Sequence, residues 1–154
     1  MPDHELLAGR LAAVGGRLGF WIPLLICSWL ALIPEPPDNP VFRLSDVTLH
    51  GAAFTYLPFA FVLMMIVSSS PSASKGGFGI RWTTAVQAFI AMLGYGLFLE
   101  LVQSLIPERS AELKDLLVDL VGIGAGLLLA ALLAGWAASL LRGLASNLSR
   151  LIQR

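Results

Sequence analysis

Charged residues and histidines divide the chain into long apolar runs joined by short polar segments. Four runs free of charge and histidine stand out: Leu18 to Pro34, Gly51 to Ser74, Trp82 to Leu99, and Leu120 to Leu141. A helix needs about 20 predominantly apolar residues to cross about 30 Å of hydrocarbon, so each run qualifies or nearly qualifies as a membrane span. The second is apolar only to Val67; Ser68, Ser69, Ser70, Pro71 and Ser72 then read as a loop, which predicts a helix from Asp46 to Ser68. Pro34, Pro36 and Pro37 end the first run, because proline lacks the amide donor and disfavours helix in the residue before it. The pattern predicts an all-α, polytopic membrane protein, a bundle of four transmembrane helices. Residues 1–17 form a cytoplasmic N-terminal arm, 18–141 the transmembrane domain and 142–154 a basic cytoplasmic tail in this reading.

Two features at the ends admit more than one reading. Arg10 and Arg17 precede a hydrophobic run in the manner of a secretory signal, but Trp29, Leu30, Ala31 and Leu32 supply no A-x-A-like cleavage site, so an uncleaved first helix is expected. Leu6, Leu7, Leu11, Val14 and Leu18 recur at helical spacing, as do Leu141, Leu144, Leu148, Leu151 and Ile152. Each arm therefore lies along the interface as an amphipathic helix or continues the adjoining span.

Composition agrees with lipid as the solvent. The 154 residues are 56% hydrophobic and 13% charged, against roughly a quarter charged in an ordinary globular domain. Ten basic and ten acidic residues cancel, which removes the electrostatic footprint of a nucleic-acid binder. The single cysteine, Cys27, allows no internal disulfide and no thiolate cage, and reads as packing. The segment Lys75 to Gly79 superficially resembles a phosphate loop but lacks the Gly-Lys-Ser/Thr order, so it reads as a turn and no cofactor is expected.

Lysine and arginine set the orientation. Arg10, Arg17, Lys75, Arg81, Arg142, Arg150 and Arg154 fall on one side, while Arg43, Arg109 and Lys114 fall on the other. The richer side is the cytoplasm, which places both termini inside; the expected location is the plasma membrane.

The polar residues of the spans are not spread evenly. Asp46 and His50 begin the second helix, Glu100 and Gln103 end the third, and Asp115 and Asp119 begin the fourth. All three ends belong to the outer side. Within each pair the residues are three or four apart and so share a helix face, and Gly122 and Gly126 continue the stripe of Asp115 and Asp119. Ionisable groups cost at least about 2.5–3.5 kcal/mol each at the bilayer centre on insertion scales, less near the interface, so they face the bundle and find partners. Arg109 in the outer loop is the expected counter-ion, for a carboxylate or an external anion. Simpler roles exist: Asp46 as an N-cap, Asp115 as a complement to the helix dipole, and His50 and Gln103 as interhelical hydrogen-bond glue. The two glycines form a small-xxx-small pair, expected to receive the third helix at Gly94 and Gly96.

These residues carry a resemblance. Glu100-Leu-Val-Gln103, Pro107-Glu-Arg109, Asp115, position 119, Gly122 and Gly126 resemble the signature of VanZ-like membrane proteins, a family named for an accessory factor in resistance to the glycopeptide antibiotic teicoplanin. Asp46 and His50 match an upstream Asp-Lys and histidine, except that Val47 stands where the family has lysine. Asp119 stands where the family usually has asparagine, so both departures make the site more acidic. The resemblance covers about Asp46 to Gly126 and implies a bacterial cell-envelope membrane protein, without a reaction attached.

Three functions remain open from sequence. His50, Glu100, Gln103, Arg109, Asp115 and Asp119 would line an outer-leaflet pocket for a lipid head group, a lipid-linked envelope precursor or, by resemblance, a glycopeptide-type antibiotic. Alternatively Glu100, Asp115, Asp119 and His50 hold a metal ion, carboxylates suiting Mg²⁺ or Ca²⁺ and the histidine admitting others, or share acid/base work on a lipid-linked substrate. The third reading is a polar clamp without a ligand. Membrane lipids are the expected partners.

Overall fold

The computed structural model describes residues 3–33, 46–69, 80–106 and 113–152, and four helices make up nearly all of them. They are α1 (Asp3–Leu32), α2 (Asp46–Ser68), α3 (Trp82–Gln103) and α4 (Leu113–Ile152). All four are long and apolar enough to cross a membrane. Large apolar side chains such as Trp29, Phe98, Leu101, Val121, Leu128 and Trp136 are exposed on the bundle's outside, as expected where the surrounding medium is hydrocarbon.

The span of α2 coincides with the run predicted from the sequence, whereas α1 and α4 are longer than their apolar cores. At about 1.5 Å per residue, the 40 residues of α4 and the 30 of α1 exceed what a bilayer core requires. Both arms therefore continue their spans as helix. Their projecting parts are packed: Ala12, Ala145 and Ser149 are buried, and a Cβ on Gly15 would lie 3.5 Å from Leu141. Arg142 donates from Nη2 to the carbonyl of Ile66 at 2.6 Å, one of the last carbonyls of α2, which lack partners within their own helix.

Helix α4 packs chiefly against α2. Its buried stripe is built from small residues: Gly122, Gly126, Ala130, Ala134 and Ala138. A Cβ on Gly122 would stand 3.0 Å from Phe54 Cβ and 3.2 Å from the Gly51 carbonyl oxygen, and one on Gly126 would collide with the Thr55 carbonyl and sit 2.6 Å from Pro58 Cγ. The glycine stripe thus receives α2, not α3 as expected from sequence; Gly94 of α3 has nothing within 4 Å of an added Cβ. The reason is size. α2 must come close enough to bury Phe54, Leu57 and Pro58, and only the glycine face of α4 admits its backbone.

Prolines inside α1 and α2 each leave a carbonyl without its helical donor. Pro23 frees the Gly19 carbonyl, and Tyr56 of α2 donates to that oxygen at 2.7 Å. A defect in one helix thereby becomes a bond to its neighbour.

Candidate functional site

One end of the bundle holds the N-termini of α2 and α4 and the C-terminus of α3, a consequence of alternating helix direction. His50 lies in the second turn of α2, Glu100 near the end of α3, and Asp115 and Asp119 in the first two turns of α4. Helix N-termini favour negative charge, which eases the placement of the two aspartates. Beneath this end lies an apolar floor formed by Phe54, Leu57, Met92, Leu99 and Ile123.

Asp119 is 1% exposed, and its Oδ1 accepts a hydrogen bond from His50 Nδ1 at 2.9 Å. With a carboxylate as the acceptor, Nδ1 of the ring is the donor of this bond. Asp119 Oδ2 is buried and has no hydrogen-bond partner among the described residues. Glu100 and Asp115 complete the group: one ligand atom from each of His50, Glu100 and Asp115 lies within 4.8 Å of the others. The His50 ring stacks on Phe54, centroids 6.2 Å apart, and Phe54 stacks on Tyr95 at 5.7 Å.

Four of the six residues singled out by sequence, His50, Glu100, Asp115 and Asp119, therefore come together from three helices. Gln103 is buried, but its amide donates to the Ala31 carbonyl of α1 at 3.0 Å, an interhelical tie. A second α1–α3 tie lies deeper, where Ser28 Oγ and Tyr95 Oη are 2.9 Å apart. Arg109 lies outside the described residues, as does the side chain of Asp46.

Gly96 belongs to the site although the sequence reading gave it a packing role with α4. A Cβ there would stand 2.9 Å from Asp119 Oδ2 and 3.2 Å from the Phe54 ring, so its lack of a side chain makes room for the buried carboxylate. Its position four residues before Glu100, hence on the same helix face, was the available signal. An open groove of about 530 Å³, lined by Val47, Thr48, Ala52, Thr55, Phe59 and Leu129 among others, is separate from these groups. Thr48, Ala52, Thr55 and Phe59 occupy the side of α2 away from His50, and none of the clustered polar residues lines the groove.

The VanZ/LLP1 family model matches residues 20–134, three quarters of the chain and all four clustered residues. The chain belongs to the VanZ/LLP1 family. No curated protein and no solved structure matches it. As a VanZ/LLP1 protein with four candidate spans, it is a multi-pass membrane protein of the cell envelope. The cluster sits within the family-matched region at the helix ends, where a membrane protein can expose polar groups to molecules arriving from the bilayer surface.

Proposed function

We propose that this VanZ/LLP1 protein lies in the plasma membrane with both termini in the cytoplasm, and that the His50, Glu100, Asp115 and Asp119 site opens outward to hold the head group of an amphipathic envelope molecule. The molecule is a lipid or a lipid-linked precursor. The observation that carries this reading is Asp119, an acid wholly buried in a membrane helix and bonded to His50, whose ring is in turn grouped with Glu100 of α3 and Asp115 of α4. Intramembrane ionisable groups are costly to insert, and their concentration at one end of one bundle supports a ligand role. Carboxylates accept hydrogen bonds, so the complementary head group is rich in donors such as amines and sugar hydroxyls. Arg109, between α3 and α4 in sequence, adds a fork suited to a phosphate or carboxylate on the same ligand. Apolar tails remain in the lipid against the exposed flanks of the helices.

Mass spectrometry of lipids retained in mild detergent tests the head-group reading. Wild type is expected to carry one head-group class above its share in the membrane, and Glu100→Gln to retain about tenfold to a hundredfold less, the equivalent of one charge-assisted hydrogen bond. Equal retention by both proteins, matching bulk membrane composition, would remove the head-group reading. The hydrogen bond that joins α2 to α4 favours the polar clamp as a second reading, under which Glu100→Gln alters stability and leaves retained lipids unchanged.

Orientation rests on the seven Lys/Arg residues of the termini and the α2–α3 connection against three elsewhere. Alkaline phosphatase fused after Arg154 is expected to be inactive, and fused at Pro107 active. Activity at Arg154 would reverse the topology.

A further inference from the structure

The end of the bundle away from the polar cluster carries a surface that a head-group site leaves unused. The last turns of α2 mark the level of the membrane edge there: Gly16 of α1 packs on Met64 and Val67, and Arg142 of α4 bonds to the Ile66 carbonyl. Beyond Arg142, α4 runs on to Ile152, a further rise of about 15 Å, with α1 beside it. The polar layer on each side of the hydrocarbon is about 5–7 Å deep, so the tips of both helices stand in water.

Two helices in water hide their large apolar side chains between them where they can, and this pair hides small ones. Ala12, Ala145 and Ser149 are buried, whereas Leu144, Leu148 and Leu151 are 58%, 49% and 67% exposed. These leucines are four and three residues apart and so share one face of α4, which the exposed Leu140 and Trp136 carry back into the span. Arg142, Ser146 and Arg150 each stand two residues from Leu144 or Leu148, on the opposite side of the helix. Lipid covers such an apolar face within the span, but not in the aqueous arm.

We propose that the Leu144, Leu148 and Leu151 face of α4 pairs with the same face of a second copy of this chain, in a two-fold dimer whose axis runs along the membrane normal. The membrane surface does not supply the cover, because α4 has no proline between span and arm and leaves the bilayer along its own axis. The face runs from the span into water, so its occupant is a helix that crosses the same boundary with the same reach, as α4 of a second copy does. Copies in one membrane share an orientation, so the contact is parallel and sets residues near the axis against their own counterparts. A charge there would meet its like; leucines pack, and Arg142 and Arg150 are turned away. With α1 and α4 from each copy the arms form a four-helix bundle, which buries leucines that one helix pair leaves in water. None of this depends on the head-group site.

The test is cysteine crosslinking of the full chain in the membranes of the expressing cells, with Cys27→Ala removing the native thiol. Single cysteines replace Leu144, Leu148, Leu151, Ser146 or Arg150, and mild oxidation is followed by non-reducing electrophoresis. A disulfide needs Cα atoms within about 7 Å, so the dimer fraction at the three leucine positions is expected to exceed that at Ser146 and Arg150 by about tenfold. Leu144→Glu added to Leu148→Cys should abolish the crosslink, since each copy then sets a carboxylate against its like. Equal crosslinking at all five positions, or none at any, would overturn the proposal. A leucine-position product that joins the chain to a different protein, or to nothing but lipid-soluble reagent, would give the face to another occupant and overturn it as well. If Leu144→Glu prevents folding, the five single cysteines decide the matter alone.

Discussion

Gly126→Leu is expected to leave little folded protein in detergent. A Cβ at this position already collides with the Thr55 carbonyl and approaches Pro58 Cγ to 2.6 Å, so the three further carbons of leucine have no room unless α2 and α4 separate. Most of the neighbouring atoms cannot yield, because one is a backbone carbonyl and Pro58 is a fully buried ring within α2. Overpacking in an ordinary core costs about 1–3 kcal/mol, and a clash with backbone belongs at or above the top of that range. Gly126→Ala should fall within it. Gly135→Ala is the matched control, since a Cβ there meets nothing within 4 Å. Thermal unfolding and the monodisperse fraction on size exclusion read the series. A Gly126→Leu protein that unfolds at the wild-type temperature would show that α2 and α4 are not packed along the glycine stripe.

The second large effect is expected at Asp119. Asp119→Ala removes the acceptor of the His50 ring N–H, which is 12% exposed and has little access to another. An unsatisfied buried donor costs about 1–3 kcal/mol, and the vacated volume adds to the loss. Asp119→Asn keeps an acceptor oxygen for His50 at nearly the same place, so its cost should be smaller, about 1 kcal/mol or less. The family resemblance agrees, since asparagine is usual at this position. Unfolding temperatures of the two variants in the same detergent give the answer: equal stability of Asp119→Ala and wild type would show that the His50 bond contributes nothing to holding α2 against α4.

Much of this architecture was legible in the chain. The α2 boundaries follow from Asp46 at one end and the serine run at the other, because a span is a stretch of uniform hydropathy and both ends break it. The same criterion placed α1 and α4 but made them short. Arg17 and Arg142 end an apolar run without ending a helix; Arg142 stays helical and spends its guanidinium on the Ile66 carbonyl. Glu100, Asp115 and Asp119 were legible as site candidates because an ionisable group within a span carries a cost that directs it inward.

Partnership was not legible. Helical periodicity states which residues of one helix share a face, and it made Asp119, Gly122 and Gly126 a single stripe. It says nothing about which neighbour meets that stripe. The sequence by itself determined four spans, the arrangement of their polar ends and the small-residue character of the α4 face. The tertiary structure alone decided that this face receives α2, that His50 is the partner of Asp119, that Gln103 is committed to α1 and that Gly96 makes space for a carboxylate. The physical reason is that helix rotation and pairing are set by all interhelical contacts at once. Lipid surrounds every apolar face equally well, so hydropathy cannot rank the neighbours; close steric fit and the satisfaction of buried polar atoms do.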